Sequence, residues 1–341
     1  MQKTKTTNLL KITEGETWNK ICCNFADAQF PQSFEWGHAK QCEDWQVSRF
    51  AVNKNDKLYG AAQVLSKSYY GIKIAYLPRG PLWRPKYLTS SLDTARFVEV
   101  LDSIKAHFPN HLITFDFYFK DDLVLDQLLR DAGLRKISKT PAITSYVDLT
   151  PSEDELFAKL HGKWRNDLRY AHKNQITIKR YDPNSALDDL YTMLRDVAER
   201  KSFSIPIQFR TMASFLKSCI TDQNILLFAE NKKGVKIAGV LIVSFSQTAD
   251  YLIGASVPSS HDAFVRGASN ALQWEAIKWA KMQGNKLYNL EGLNPNGNPG
   301  VYHFKKRIGG EISQLKGLWS WGRNRSLLII FTQILIALKK I

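Results

Sequence analysis

The chain repeats itself, and that restricts its fold more than any other feature. Phe50-Ala51-Val52-Asn53-Lys54 recurs as Phe228-Ala229-Glu230-Asn231-Lys232. Each copy passes through a polar turn into a glycine-containing apolar run, Leu58–Leu65 in the first half and Ile237–Val243 in the second. Such runs suit a pleated surface, and Asn and Gly accept the left-handed backbone of a tight turn, so each pair predicts a hairpin. A third strand follows in each half. Ile72–Leu77 ends at Pro78-Arg79-Gly80-Pro81, and Ala249–Ala255 ends at Ser256-Val257-Pro258. Helical spacing comes next: Phe97, Val100, Leu101 and Ile104 within Leu92–Phe108, and Leu272, Ala276, Trp279 and Ala280 within Ala268–Met282, which Gly284 should stop. Each half resumes with a strand carrying an acid, Asp116 or Glu291. Hairpin, strand, helix and strand, given twice, predict a duplicated α+β unit. Thr150-Pro151-Ser152-Glu153 reads as an N-cap, a first-position proline and an early acid. That start separates a domain at residues 1–149 from one at 150–325, with 326–341 as a C-terminal helix.

A length of 341 residues allows two cores, and 44% apolar against 23% charged residues is a globular composition. The formal charge of +15 points to a polyanionic partner or surface, or to a basic surface that serves solubility alone. Cys22, Cys23, Cys42 and Cys219 form no C-x-x-C pair and lack clustered histidines, so no metal site is expected. Met1–Thr7 is polar with no apolar stretch behind it, which does not describe a secretory signal. With reduced thiols, this predicts a cytoplasmic protein. The apolar stretch Leu327–Leu338 is shorter than the roughly 20 residues that cross a hydrocarbon core. Arg323, Arg325, Lys339 and Lys340 flank it, which suits a helix lying on an anionic inner-membrane surface or one docked on the protein's own core.

Few segments carry chemical signals. A helix from Pro151 would place Leu156, Leu160, Trp164 and Leu168 on one face and Arg165, Arg169, His172 and Lys173 on another. That cationic stripe can grip phosphates or simply be solvated. The loop at 294–300 leads into Val301-Tyr302-His303-Phe304-Lys305-Lys306-Arg307-Ile308-Gly309-Gly310, where glycines would permit close approach to a ligand and a lysine could hold a phosphate or an oxyanion. Ser33 can cap a helix carrying Trp36 and Lys40. No G-x-S-x-G, H-E-x-x-H, Walker loop or strand-linked G-x-G-x-x-G is present, so any chemistry depends on an already activated substrate.

Six segments in order resemble the Fem family, which includes FemX, FemA, FemB and MurM-type enzymes. They are Gln32-Ser33-x-x-Trp36-x-x-x-Lys40; Tyr76-Leu77-Pro78-Arg79-Gly80-Pro81; Lys163-x-Arg165-x-x-Leu168-Arg169-x-Ala171-x-Lys173; Tyr251-Leu252-x-Gly254-Ala255-Ser256; Gln273-Trp274-Glu275-x-Ile277; and Tyr302-x-Phe304-Lys305-x-x-Ile308-Gly309-Gly310. The resemblance implies tandem GCN5-type N-acetyltransferase-like (acyl-CoA N-acyltransferase) domains. It implies transfer of an aminoacyl group from aminoacyl-tRNA, with no separate cofactor and no metal, to the stem-peptide amine of lipid II or UDP-MurNAc-peptide. It places Lys305 and Phe304 at the aminoacyl end. By the same resemblance Lys40, Asp116, Arg210 and Tyr251, with Arg79 and Tyr302 from the motifs, would bind the precursor. Arg165, Arg169, Lys173 and Lys306 are the expected tRNA- or phosphate-binding residues. The chain departs from the family pattern in lacking a long inserted helical hairpin, in having Asn289 where an aspartate is usual, and in having Ile308 before the diglycine. Three other readings stay open. Val265-Arg266-Gly267 at a strand-to-helix turn could seat the pyrophosphate of coenzyme A for an N-acyltransferase. A Fem-related enzyme could act in polysaccharide or protein-sorting pathways. The fold could also persist in a non-catalytic RNA- or membrane-binding protein.

Overall fold

The computed structural model describes residues 7–69, 71–84, 94–121, 123–138, 142–220, 222–258 and 266–322. The expected C-terminal helix at 326–341, its flanking basic residues and Val265 lie outside them. In chain order the first elements are β1 (Thr7–Lys11), α1 (Gly15–Cys22), α2 (Phe34–Lys40), β2 (Gln46–Lys54), β3 (Lys57–Tyr69), β4 (Ile72–Leu77), α3 (Thr94–His107), β5 (Leu112–Lys120), α4 (Leu123–Asp131) and β6 (Arg135–Lys136). Next come β7 (Ala142–Asp148), α5 (Glu153–Lys159), α6 (Gly162–Lys173), β8 (Thr177–Tyr181), α7 (Pro183–Arg200) and α8 (Phe209–Ser218). The chain continues with β9 (Asn224–Glu230), β10 (Lys236–Phe245), β11 (Thr248–Ser256), α9 (Ala268–Met282), β12 (Leu287–Asn289), α10 (Pro299–Lys306) and β13 (Glu311–Trp321).

Two compact units result, residues 143–313 and residues 1–142 with 314–341. The first unit orders its strands β1-β2-β3-β4-β5-β13, with β6 also on β13. The second orders them β7-β12-β11-β10-β9-β8. The repeat is legible in both: β2, β3 and β4 form an antiparallel meander, then β5 returns parallel to β4 after α3. Likewise β9, β10 and β11 form a meander, and β12 returns parallel to β11 after α9. The β2–β3 turn uses Asn55 and Asp56 with φ of 50° and 59°, the double left-handed geometry that short hairpins require. Both repeat helices seal their sheets as the spacing predicts. Phe97, Val100, Leu101 and Ile104 of α3 are fully buried, and so are Leu272, Ala276 and Ala280 of α9. Gly284 follows α9 with φ of 78°.

Three local expectations change. The division falls at Ala142/Ile143 rather than before Thr150, and the chain from Gln314 returns to the first unit, because β13 pairs with β5 and β6. The capping box is Ser152 with Glu155, two residues later than the sequence suggests, while Thr150 bonds to Asp148. The helix expected from Pro151 is two helices. Leu160 turns extended, and His161 starts α6 by accepting the Lys163 N–H at its Nδ1. Among the described residues no helix is long and apolar enough to cross a membrane, and none of the four cysteines is in a disulfide.

Gly267 opens α9 with φ of 83°, and a Cβ there would lie 2.2 Å from the Asp167 carbonyl oxygen of α6. Gly267→Ala therefore meets both backbone strain and a clash with main chain. It should cost about 2–4 kcal/mol, read as a lower urea midpoint. An unchanged midpoint would mean that α6 does not press on this turn.

Candidate active site

The second unit parts two parallel strands. β11 and β12 pair only from Thr248↔Leu287 to Asp250↔Asn289. Beyond that point the chain after β12 stays with β7, through Leu290 N–H to the Ser145 carbonyl at 2.9 Å and Leu293 N–H to the Ile143 carbonyl at 2.8 Å. β11 runs on to Ser256 paired with β10 on its other edge. One side chain bridges the opening. Lys305 of α10 donates to the Gly292 carbonyl at 3.0 Å and stands 5.2 Å from the Tyr251 ring centroid.

The sequence around Lys305 explains why it is there. Pro299 at the first turn and the Asn298 side chain, which accepts the Val301 N–H, start a helix where a loop leading into an irregular run was expected. Phe304 lies against the core beside Trp164 of α6, at 6.0 Å between ring centroids, and sets the rotation of α10. Lys305 is consequently 7% exposed. Burial holds its ammonium down at about 8, with the Glu291 carboxylate pulling the other way. Tyr251 is pushed up to about 12 by burial, which the nearby Gln273 amide partly offsets, so its hydroxyl stays protonated at neutral pH. Gln273 also accepts the Tyr288 hydroxyl at 2.7 Å. A Cβ on Gly254 would sit 2.0 Å from the Tyr251 hydroxyl oxygen, so only glycine leaves that side chain its place. A cavity of about 200 Å³ adjoins this group, lined by Tyr251, Gly254, Gln273, Gly300, Val301 and Phe304 among others.

The remaining sequence-derived residues divide into several groups. Tyr302 and Lys306 share a face of α10, with the Lys306 ammonium 5.8 Å from the Tyr302 ring and Lys306 exposed. On α6, Arg169 and Lys173 are exposed as a phosphate grip requires. Arg165 is different: it donates to the Ala158 and Leu160 carbonyls and closes the end of α5. Arg210 is exposed in the first turn of α8. The diglycine also has a different use from the one expected. A Cβ on Gly310 would meet Ser145 Oγ at 2.5 Å, and Gly309, with φ of 90°, would meet the Lys159 carbonyl at 3.0 Å. The close approach is to the protein's own backbone.

In the first unit Arg79, Asp116 and Tyr76 come together. Tyr76 donates to Asp116 at 3.3 Å, and the Arg79 guanidinium lies 3.8 Å from the Tyr118 ring centroid and donates to Gln29 at 2.6 Å. Burial first, then the Asp116 charge, raises Tyr76 well above its ordinary value, so it remains a donor. Lys40 ends α2 with its ammonium 2.5 Å from Glu43 and 5.7 Å from the Trp36 ring. Much of the first two sequence motifs is scaffold for these groups. Ser33 caps α2, and Gln32 donates to the Pro78 carbonyl at 2.5 Å while accepting the Gln63 N–H at 2.9 Å. Gln32 thus ties the turn carrying Arg79 to β3.

Sequence reasoning missed Asp250, whose signal is an acid inside the apolar run of β11. It noted Asn289 and Glu291 without linking them, although together these residues form a buried polar network against the loop that holds Lys305.

Residues 211–328 match the model of the FemAB family. The lipid II:glycine glycyltransferase of Staphylococcus haemolyticus (strain JCSC1435) is 20% identical, over 89% of this chain and 90% of that protein. Its counterpart in Staphylococcus aureus (strain MRSA252) matches equally. The crystal structure of FemX superposes with a TM-score of 0.81 at 17% identity, covering 95% of this chain and 99% of that one. A tandem GNAT protein from the clavulanic acid biosynthesis pathway, at 11% identity, has a TM-score of 0.51 over 93% and 98% of the two chains, as a duplicated acetyltransferase-like fold demands. Residues 211–328 thus match the FemAB family model, and the chain as a whole is similar in sequence to these glycyltransferases and in fold to FemX.

Proposed function

We propose that the chain is an aminoacyltransferase that extends the stem peptide of a peptidoglycan precursor, lipid II or UDP-MurNAc-peptide, with aminoacyl-tRNA as donor. The observation that carries this reading is Lys305, a buried ammonium held by one carbonyl at the parting of β11 and β12. Relatives named as lipid II:glycine glycyltransferases support the substrate class. The ester of aminoacyl-tRNA is already activated, so the reaction needs positioning more than a strong base. The acceptor amine attacks the ester carbonyl, a C–N bond forms, and the ester C–O bond breaks. The amine's proton leaves with the departing ribose oxygen, and the Lys305 ammonium stabilises the oxyanion in between. Phe304 fixes Lys305 from the adjoining turn position. Lys40, Arg79, Asp116, Arg210, Tyr251 and Tyr302 serve the acceptor, and the exposed Arg169, Lys173 and Lys306 serve tRNA phosphates.

The Arg266–Gly267 turn is ill suited to seat the pyrophosphate of coenzyme A. Arg266 is bonded to Asp167 at 2.9 Å, and the turn packs on α6. We place the enzyme in the cytoplasm, with the apolar, basic-flanked residues 326–341 adding affinity for the anionic inner membrane face. The test is transfer of a radiolabelled amino acid from charged tRNA to each precursor, with acetyl-CoA as the competing donor. Labelled precursor is expected. Acetyl transfer without aminoacyl transfer, or binding of tRNA regardless of charging with no transfer, would overturn the reading.

A further inference from the structure

Asn289 is fully buried at the end of β12, and both ends of its amide are used. Its Oδ1 accepts the Thr144 hydroxyl at 2.6 Å and the Glu291 N–H at 3.0 Å. Its Nδ2 donates to Asp250 at 2.7 Å and to the Glu291 carboxylate at 3.2 Å. This pattern fixes the amide's orientation, because two carboxylates can be served only by the NH2 end and two donors only by the oxygen. Glu291 is held in a left-handed backbone with φ of 58°, a costly conformation for a residue with a Cβ. The very next carbonyl, that of Gly292, receives Lys305. The amide therefore holds the turn that supplies both the carbonyl bonded to the ammonium and the carboxylate whose charge acts on it. An aspartate at 289 would set three carboxylates side by side with no donor between them, so the asparagine matches its two acidic neighbours in this chain.

We propose that Asn289 and Glu291 act as a positioning pair for Lys305, the amide holding the turn and the Glu291 carboxylate so that the ammonium stays over Tyr251 and at the Gly292 carbonyl. This rests on the transfer reaction proposed above. The charged or titratable groups around Lys305 are Tyr251 from β11, Glu291 from the turn and, along α10 itself, His303 and Lys306. Asp250 and Tyr288 stand behind Asn289 and Gln273.

The test has a readout that does not need activity. Competitive acetylation of Lys305 across pH, followed by mass spectrometry, gives the midpoint at which it loses its proton. Glu291→Gln and Asn289→Ser are each expected to lower that midpoint by about half a pH unit or more, and the double variant no further than Glu291→Gln alone. In the transfer assay each single variant should lower kcat about tenfold with KM for the precursor within about twofold. Glu291 is half-buried, so Glu291→Gln keeps the test available if Asn289→Ser does not fold. An unchanged midpoint in Glu291→Gln, or shifts that simply add in the double variant, would overturn the pair. Absence of transfer by the unaltered protein would count against the proposed function and leave the labelling result standing.

Discussion

Lys305→Met should lower aminoacyl transfer by about a hundredfold or more, with affinity for the precursor within about twofold of the unaltered protein. The Gly292 carbonyl takes one N–H of the Lys305 ammonium, and burial keeps water from competing for the others. A cation in such a place is worth far more to a developing oxyanion than one in solvent. The same burial makes two further results follow. Lys305 loses its proton at about 8, so the rate should fall as pH rises through that value, and the methionine variant should lack this limb. Folding is linked in the opposite sense. The native lysine titrates near 8 and its ordinary value is 10.5, so between these the unfolded chain binds more protons and stability rises with pH. Below that window the native protein carries the cost of a buried charge, which methionine removes. The variant is thus expected to be slower and, at neutral pH, more stable, a combination that a structural role for the lysine would not give. Near-normal transfer in Lys305→Met would remove Lys305 from the chemistry.

The sequence revealed what is local and hid what is not. Hairpins and amphipathic helices are written in spacings of two and of three to four, and the β2–β3 and β9–β10 pairs and the buried faces of α3 and α9 follow them. The return of β13 to β5 pairs residues nearly two hundred positions apart, such as Leu315 with Lys120, and no local pattern encodes it. The split between α5 and α6 was masked because Leu156, Leu160, Trp164 and Leu168 keep a helical spacing straight through it, although Gly162 was a visible break signal. The burial of Lys305 was hidden for another reason. A lysine in the basic run Lys305-Lys306-Arg307 reads as surface, and only the rotation of α10 against Trp164 decides which of the two lysines goes inside. Asn298 and Pro299 did carry the helix start, so the element was recoverable even if the facing was not. Resemblance supplied the roles of the site residues, and geometry then separated Arg165, Gln32 and the diglycine, which hold the scaffold, from Lys305 and Tyr251, which line the opening.

The returning strand β13 carries a buried charge, and stripping that charge of its partners should be the largest stability effect in the first unit. Lys316 is 0% exposed, with its ammonium 2.6 Å from Asp126 and also bonded to Asp121. Asp121 further accepts from Gln314 at 3.2 Å, and its N–H donates to the Gln314 carbonyl at 2.8 Å. Asp121→Asn with Asp126→Asn leaves the ammonium buried without a counter-charge and should cost about 3–5 kcal/mol. Lys316→Met should cost much less, because the two carboxylates are 22% and 20% exposed and can still reach water. Adding Lys316→Met to the double asparagine variant should restore most of the loss, since the buried charge is then gone. Burial alone would raise the Asp121 carboxyl, but the Lys316 ammonium outweighs it and holds the group below its ordinary value. Its contribution is then complete above the ordinary carboxylate range and is lost as pH falls through and below that range. Urea midpoints at pH 7 and in mild acid measure both effects. A double asparagine variant as stable as Lys316→Met at pH 7 would show that the carboxylates do not hold the lysine, and that the strand stays in place through its backbone ladders with β5 and β6.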